Sequence, residues 1–133
     1  MRRFGSRRGG TMVEGALVFL VFAILMAGIL ELGVIGFAAN SVSYAAHRAA
    51  RFASLRGSTS GRAASIDDVR ASAKASAAPL SQSNLNVNVS WLPDNQPGSS
   101  VQVTVSYVLQ PALAPLSATP LTLQTTARAR ILQ

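Results

Sequence analysis

The strongest constraint in this sequence is an unbroken apolar run from Gly15 to Ala39, interrupted by one charge, Glu31. At 1.5 Å per residue, its roughly 25 residues reach across a hydrocarbon core of about 30 Å. No proline stands between Thr11 and Arg56. One helix of about 46 residues, ~69 Å long, is therefore expected to start in this run and continue well past it. The chain has 133 residues, so this one element takes about a third of it.

Four arginines, Arg2, Arg3, Arg7 and Arg8, precede the run, followed by Gly9-Gly10-Thr11-Met12-Val13-Glu14. An ordinary secretory signal puts its small residues after the apolar stretch; here they come before it. A cut at Gly9 would remove the leader and leave the hydrophobic segment on the mature chain. Glycine followed five residues later by glutamate, between a basic leader and a hydrophobic helix, is the pattern read by prepilin peptidases. The plain alternative is a signal anchor whose paired glycines are accidental. A carboxylate at the end of a membrane-length helix costs several kcal/mol on insertion scales, which favours a job for Glu14. Cleavage would also place a new amino terminus at Gly10, one turn away, and pairing offsets the desolvation of both charges.

The formal charge of +7 overstates the basicity of the working chain, because loss of the four leader arginines would leave +3. No basic-aromatic motif for nucleic acid accompanies that charge. The leader arginines read as cytoplasmic topology signals, giving an N-terminus in and a C-terminus out. Arg48, Arg51 and Arg56 beyond the run pull weakly the other way.

Past the membrane segment the helix changes character. Ala45, Ala49 and Ala53 recur every fourth residue beside Ala46 and Ala50. Such a strip lets helices approach closely, and alanine is also simply the best helix former. Tyr44, Phe52 and Leu55 add bulk, while His47, Arg48 and Arg51 cover the other side. Gly57 is expected to cap the helix, and Gly57 to Arg62 to form a flexible joint. Ser65 and Asp68 then resemble a capping box opening a helix from Ile66 to about Ala77, stopped by Pro79.

After Pro79 the period becomes two. Leu85, Val87, Val89 and Trp91 alternate with polar residues, as do Val101, Val103, Val105, Tyr107 and Leu109. A third run places Leu121, Leu123, Thr125, Ala127, Ala129 and Ile131 opposite Arg128 and Arg130. Turn formers from Pro93 to Gly98 separate the first two runs. The fold class is α+β: a long N-terminal transmembrane helix, pilin-like, then a short helix and a three-stranded antiparallel sheet. The divisions are a basic leader at 1–9, the long helix at 10–56 with its membrane segment at about 15–39, a linker at 57–65, and a small extracytoplasmic domain at 66–133. A sheet with one apolar face needs a cover, which the outer half of the long helix or the short helix could supply.

The stretch from Gly9 to Arg51 resembles the N-terminal domain of the TadE-like family, pseudopilin-like proteins of the Tad (tight adherence) type IV pilus systems. The resemblance rests on Gly9 with Glu14, on Gly28-Ile29-Leu30-Glu31-Leu32-Gly33, and on Asn40 with the later Ala45-Ala46-His47-Arg48-Ala49-Ala50-Arg51. The Pro97-Gly98 turn and the Val101–Val105 strand are similar to the family's C-terminal part. Gly15 and Leu32 stand where the family has aromatics. The resemblance implies a minor pseudopilin-like component of pilus assembly and secretion, processed by prepilin peptidase between Gly9 and Gly10. It also implies that Glu14 guides subunits into a fibre. Partners expected along the long helix are other pilins or pseudopilins, Tad membrane components and lipid. Glu14, Glu31, Ala45, Ala49 and Ala53 are the candidate contact residues, and Glu31 could equally snorkel to water. The site is the cytoplasmic (inner) membrane.

Catalytic chemistry is not expected. One histidine, no cysteine and five acids, two of them in or beside the apolar run, leave little for a metal site or a triad. No cofactor, metal site, nucleic-acid partner or enzyme activity is expected. Two rivals remain: a minor pseudopilin of a type II secretion system, and a single-pass anchored protein whose β-rich part binds an extracellular ligand.

Overall fold

The computed structural model describes residues 7–111 and 119–132. Most of the basic leader, residues 1–6, lies outside the described residues, as does part of the connection before the last strand. Helix α1 (Arg7–Ser54) is followed by α2 (Ile66–Ser76), a 3₁₀ turn at Gln82–Asn84, and strands β1 (Leu85–Leu92), β2 (Ser100–Leu109) and β3 (Leu121–Arg130). The α+β architecture expected from the periodicities is the one observed. The chain divides into two compact units, Met1–Val34 and Ile35–Gln133.

The described part of the first unit is helix alone. Its large apolar side chains are open on every side: Met12, Leu17, Phe19, Phe22, Leu25 and Ile29 are all more than half exposed. A helix hydrophobic all round has no stable place in water. It has the length and composition to cross a membrane.

The second unit contains the core. Strand order is β1-β2-β3, antiparallel throughout. The register sets Val87 opposite Val105 and Val89 opposite Val103, with Val103 opposite Ala127 on the far side. Because side chains alternate across a strand, Leu85, Val87, Val89, Val101, Val103, Val105, Tyr107 and Leu109 form one apolar face, and all are buried. The opposite face is polar, with Thr104 and Thr126 hydroxyls 3.0 Å apart and the Arg128 Nε donating to Gln102 Oε1 at 2.9 Å.

Both helices contribute to one core with that face. From α1 come Ala38, Val42, Ala45, Ala46, Ala49, Ala50 and Ala53; from α2 and its exit come Val69, Ala73 and Ala77. Small residues on the helices share this core with branched ones on the strands, a combination that lets the layers come close. The core begins within the apolar run, since Ala38 is already buried and Ile35 packs against it. This leaves Gly15 to Val34, about 30 Å of helix, as the apolar stretch of the first unit.

The end of α1 differs from expectation. Gly57 is not in the left-handed region; among the described glycines, only Gly61 (φ 69°) and Gly98 (φ 96°) are. The terminal carbonyls are closed by other donors. Ser54 Oγ and Leu55 N–H both donate to the Arg51 carbonyl, and Leu132 N–H, from beyond β3, donates to that of Ser54. The segment expected to be a loose joint is tied down as well. Ser58 N–H donates to Asn95 O at 2.9 Å, and Ala64 N–H to Arg56 O at 2.8 Å.

Helix α2 opens on the expected capping box. Ser65 Oγ accepts from Asp68 N–H at 3.1 Å, and the Asp68 carboxylate accepts from Ser65 N–H at 3.0 Å. The 3₁₀ turn was not foreseen, because Ser81-Gln82-Ser83-Asn84 carries no apolar period. The Gln82 side-chain amide points back to the carbonyls at the end of α2.

Two measurements test this packing. Ala49 is fully buried, so Ala49→Leu should overpack the core and destabilise the second unit by about 1–3 kcal/mol. Arg51→Ala, on the exposed side, should change the thermal midpoint little. The Asp68 carboxyl is held below its usual range, first by the Ser65 N–H and then by the Ser65 hydroxyl. Asp94 is held low by the Ser99 hydroxyl and the Gln96 N–H. Their stabilising contributions are complete above the unfolded carboxylate value near pH 4 and fade as pH falls through the lower folded values. Urea unfolding between pH 6 and pH 2 should therefore show a shallower acid decline in Asp68→Asn than in the parent chain.

Candidate functional site

The residues expected to carry function all lie on α1, and the structure sorts them into three environments. Gly9, Gly10 and Glu14 sit in its first turns and are exposed. A Cβ built at either glycine would meet nothing within 4 Å, so the strip around the candidate cleavage bond is open to an enzyme. The first four N–H groups of a helix lack intrahelical acceptors and its end frays readily. Unwinding one turn there to present an extended bond costs little. Glu14 lies five residues past Gly9, ~7.5 Å along the axis.

Glu31 is half-buried on α1, 17 residues and ~26 Å beyond Glu14. It is the only charge in the apolar run.

Ala45, Ala49 and Ala53 occupy a third environment. Each is completely buried in the core shared with α2 and the sheet. The close approach that small residues permit is thus used within this chain. The sequence left this strip open between a surface for another helix, plain helix propensity and a cover for the sheet; the strands that share its core are far off in sequence, so nothing local marked it as inward-facing.

The opposite face of the same helix turns is open. Phe37, Tyr44 and Leu55 are 54%, 53% and 48% exposed, and Asn40, His47, Arg48 and Arg51 are exposed between them. Arg48 donates to Tyr44 Oη at 2.9 Å, with its Cζ 5.9 Å from the ring centroid. Arg56 stacks at 4.4 Å over Phe52. The sequence signal for this face was present in the 3-4-3-4 spacing of 37, 40, 44, 47 and 51, but the alanines one face away drew attention first.

Away from α1, a wide-open groove runs between α2 and the start of β1, lined by Arg70, Lys74, Asn84 and Asn86 among others. Arg70 is engaged there: its Nε donates to the Val87 carbonyl at 3.3 Å, and its NH1 lies 3.2 Å from Asp67. An exposed pair of this kind contributes little energy. Among the described residues, no group of three or more histidines, cysteines and acids lies close enough to hold a metal ion.

Open glycines precede a carboxylate at the start of one apolar helix of membrane length. No curated protein and no solved structure matches the chain at a significant level. Residues 9–51, nearly all of α1, match the family model described as TadE-like protein, the family to which the sequence bears its resemblance and one that points to the Tad pilus.

Proposed function

We propose that this chain is a minor pseudopilin-like component of a Tad pilus apparatus, anchored by α1 and cleaved after Gly9 by a prepilin peptidase. The observation that carries the reading is the TadE-like match over residues 9–51 falling on a helix whose first turns are open at Gly9 and Gly10. The membrane-length stretch follows at once. The leader arginines stay in the cytoplasm by the positive-inside bias, and the second unit faces outward. Arg48, Arg51 and Arg56 oppose this only weakly, since the four leader arginines outnumber them and Arg7 and Arg8 stand closer to the apolar run.

After cleavage, the ammonium at Gly10 and the Glu14 carboxylate stand one helical turn apart in a setting where either alone is costly. A neighbouring subunit in a growing fibre offers the same two charges. Pairing between subunits offsets the desolvation of both and fixes the axial register of one helix on the next. In this reading Glu14 acts in assembly rather than in cleavage.

Mass spectrometry of the membrane-extracted chain should find an amino terminus at Gly10, and Gly9→Ala should leave the leader in place. Glu14→Gln keeps the size and hydrogen bonding of the side chain and loses its charge. It should be processed normally, yet reduce piliation by tenfold or more on electron micrographs. An intact leader in cells with an active peptidase, or normal fibres from Glu14→Gln, would contradict the proposal.

A further inference from the structure

We infer that the open face of the outer half of α1, carrying Phe37, Tyr44, His47, Arg48, Arg51 and Leu55, is a docking surface for an acidic helix of a different subunit. The inference rests on the Tad pilus reading for the existence of such a subunit and goes beyond it in naming the surface and the chemistry of the partner.

Three observations lead to it. The alanine face of these turns is consumed by the chain's own core, so a helix packing alongside must use the other side. That side is apolar enough to bury: Phe37, Tyr44 and Leu55 are each about half exposed, although they sit on a helix whose opposite face is buried in the core. Their spacing, with Asn40, His47 and Arg51 between, follows the three-and-four pattern by which one helix meets another.

Charge selects the partner. Arg48 and Arg51 lie on the face, with His47 beside them, and no carboxylate accompanies them there. The described acids of the second unit are engaged elsewhere: Asp68 with Ser65, Asp67 with Arg70, and Asp94 with Ser99. A parallel copy of this chain, in register or shifted by a turn, brings no carboxylate to these two, because residues 35–56 contain none. A helix bearing aspartate or glutamate at matching turns instead gains charge-assisted hydrogen bonds from the guanidinium groups. Arg48, held against Tyr44, presents a partly ordered donor to it. The competing explanation is local: cations near the end of a helix offset its dipole. That role would leave Arg48 and Arg51 replaceable by lysine or by a neutral residue with no effect on assembly.

The test uses the full chain in cells that build the fibre, with the photo-reactive residue p-benzoylphenylalanine at position 44. The expected product is an adduct whose crosslinked peptide, read by mass spectrometry, is an acid-bearing helical segment of another pilin-like chain. R48E/R51E should reduce that adduct at least fivefold, R48K/R51K should retain it, and reversing the partner's acids to lysine should restore it with R48E/R51E. Probe at Asn88, on the polar face of the sheet, should give no such adduct. An adduct to phospholipid, an adduct to a second copy of this chain, no adduct at all, or one indifferent to R48E/R51E would each overturn the inference. Failure of the underlying reading looks different: deletion of the chain would then leave piliation intact, whereas failure of the docking surface alone leaves a chain that piliation needs and R48E/R51E cells that piliate normally.

Discussion

Alanine at positions 38, 45, 46, 49, 50 and 53 leaves one face of α1 with almost no side-chain bulk, and the valines of β1 and β2 fill the space beside it. The second unit depends on this contact. A sheet of three strands cannot cover its own apolar face, and α2 has only Val69 and Ala73 buried within its length. Without the outer turns of α1, the buried rows of β1 and β2 would face water. The same helix that carries the membrane-length stretch therefore also supplies seven residues to the core of the second unit.

This double use explains the composition of α1. Up to Val34 the helix is apolar on every side, which suits lipid and nothing in water. From Ile35 onward it is apolar on the face that meets the sheet and mixed on the face that does not. The change is in side-chain size more than in hydropathy: leucine, isoleucine and phenylalanine give way to alanine where another element must come close. Hydrogen bonds at the far end reinforce the join. The Ser54 carbonyl at the end of α1 accepts from Leu132, just past β3, so the first and last elements of the second unit are tied together.

Periodicity made the elements legible in the sequence. The proline-free stretch from Thr11 to Arg56, the Ser65–Asp68 box and the alternating valines each encode local geometry, and each was found where its residues placed it. The inward direction of the alanine strip was not legible from the strip itself, because it depends on a sheet that begins some thirty or more residues later. The helix end was misjudged for a related reason. Gly57 has the composition of a cap, but the donors that close α1 come from Ser54 and from Leu132, a choice that no local pattern records. The processing motif at Gly9 and Glu14 was legible because its parts are adjacent. The open face from Phe37 to Leu55 emerged only once the alanines were known to be covered.

The most direct test is the reactivity of single cysteines along α1, which the cysteine-free chain permits. The purified protein in liposomes would be treated with a water-soluble maleimide and with a lipid-soluble one. Cysteines replacing Leu17, Phe22 and Ile29 should react only with the lipid-soluble reagent, and those replacing Tyr44 and Arg51 with the water-soluble one. Those at Ala45, Ala49 and Ala53 should react with neither until the protein is denatured. Reaction at Ala49 and Ala53 as fast as at Arg51, or water-soluble labelling at Phe22, would contradict a helix divided between membrane and core.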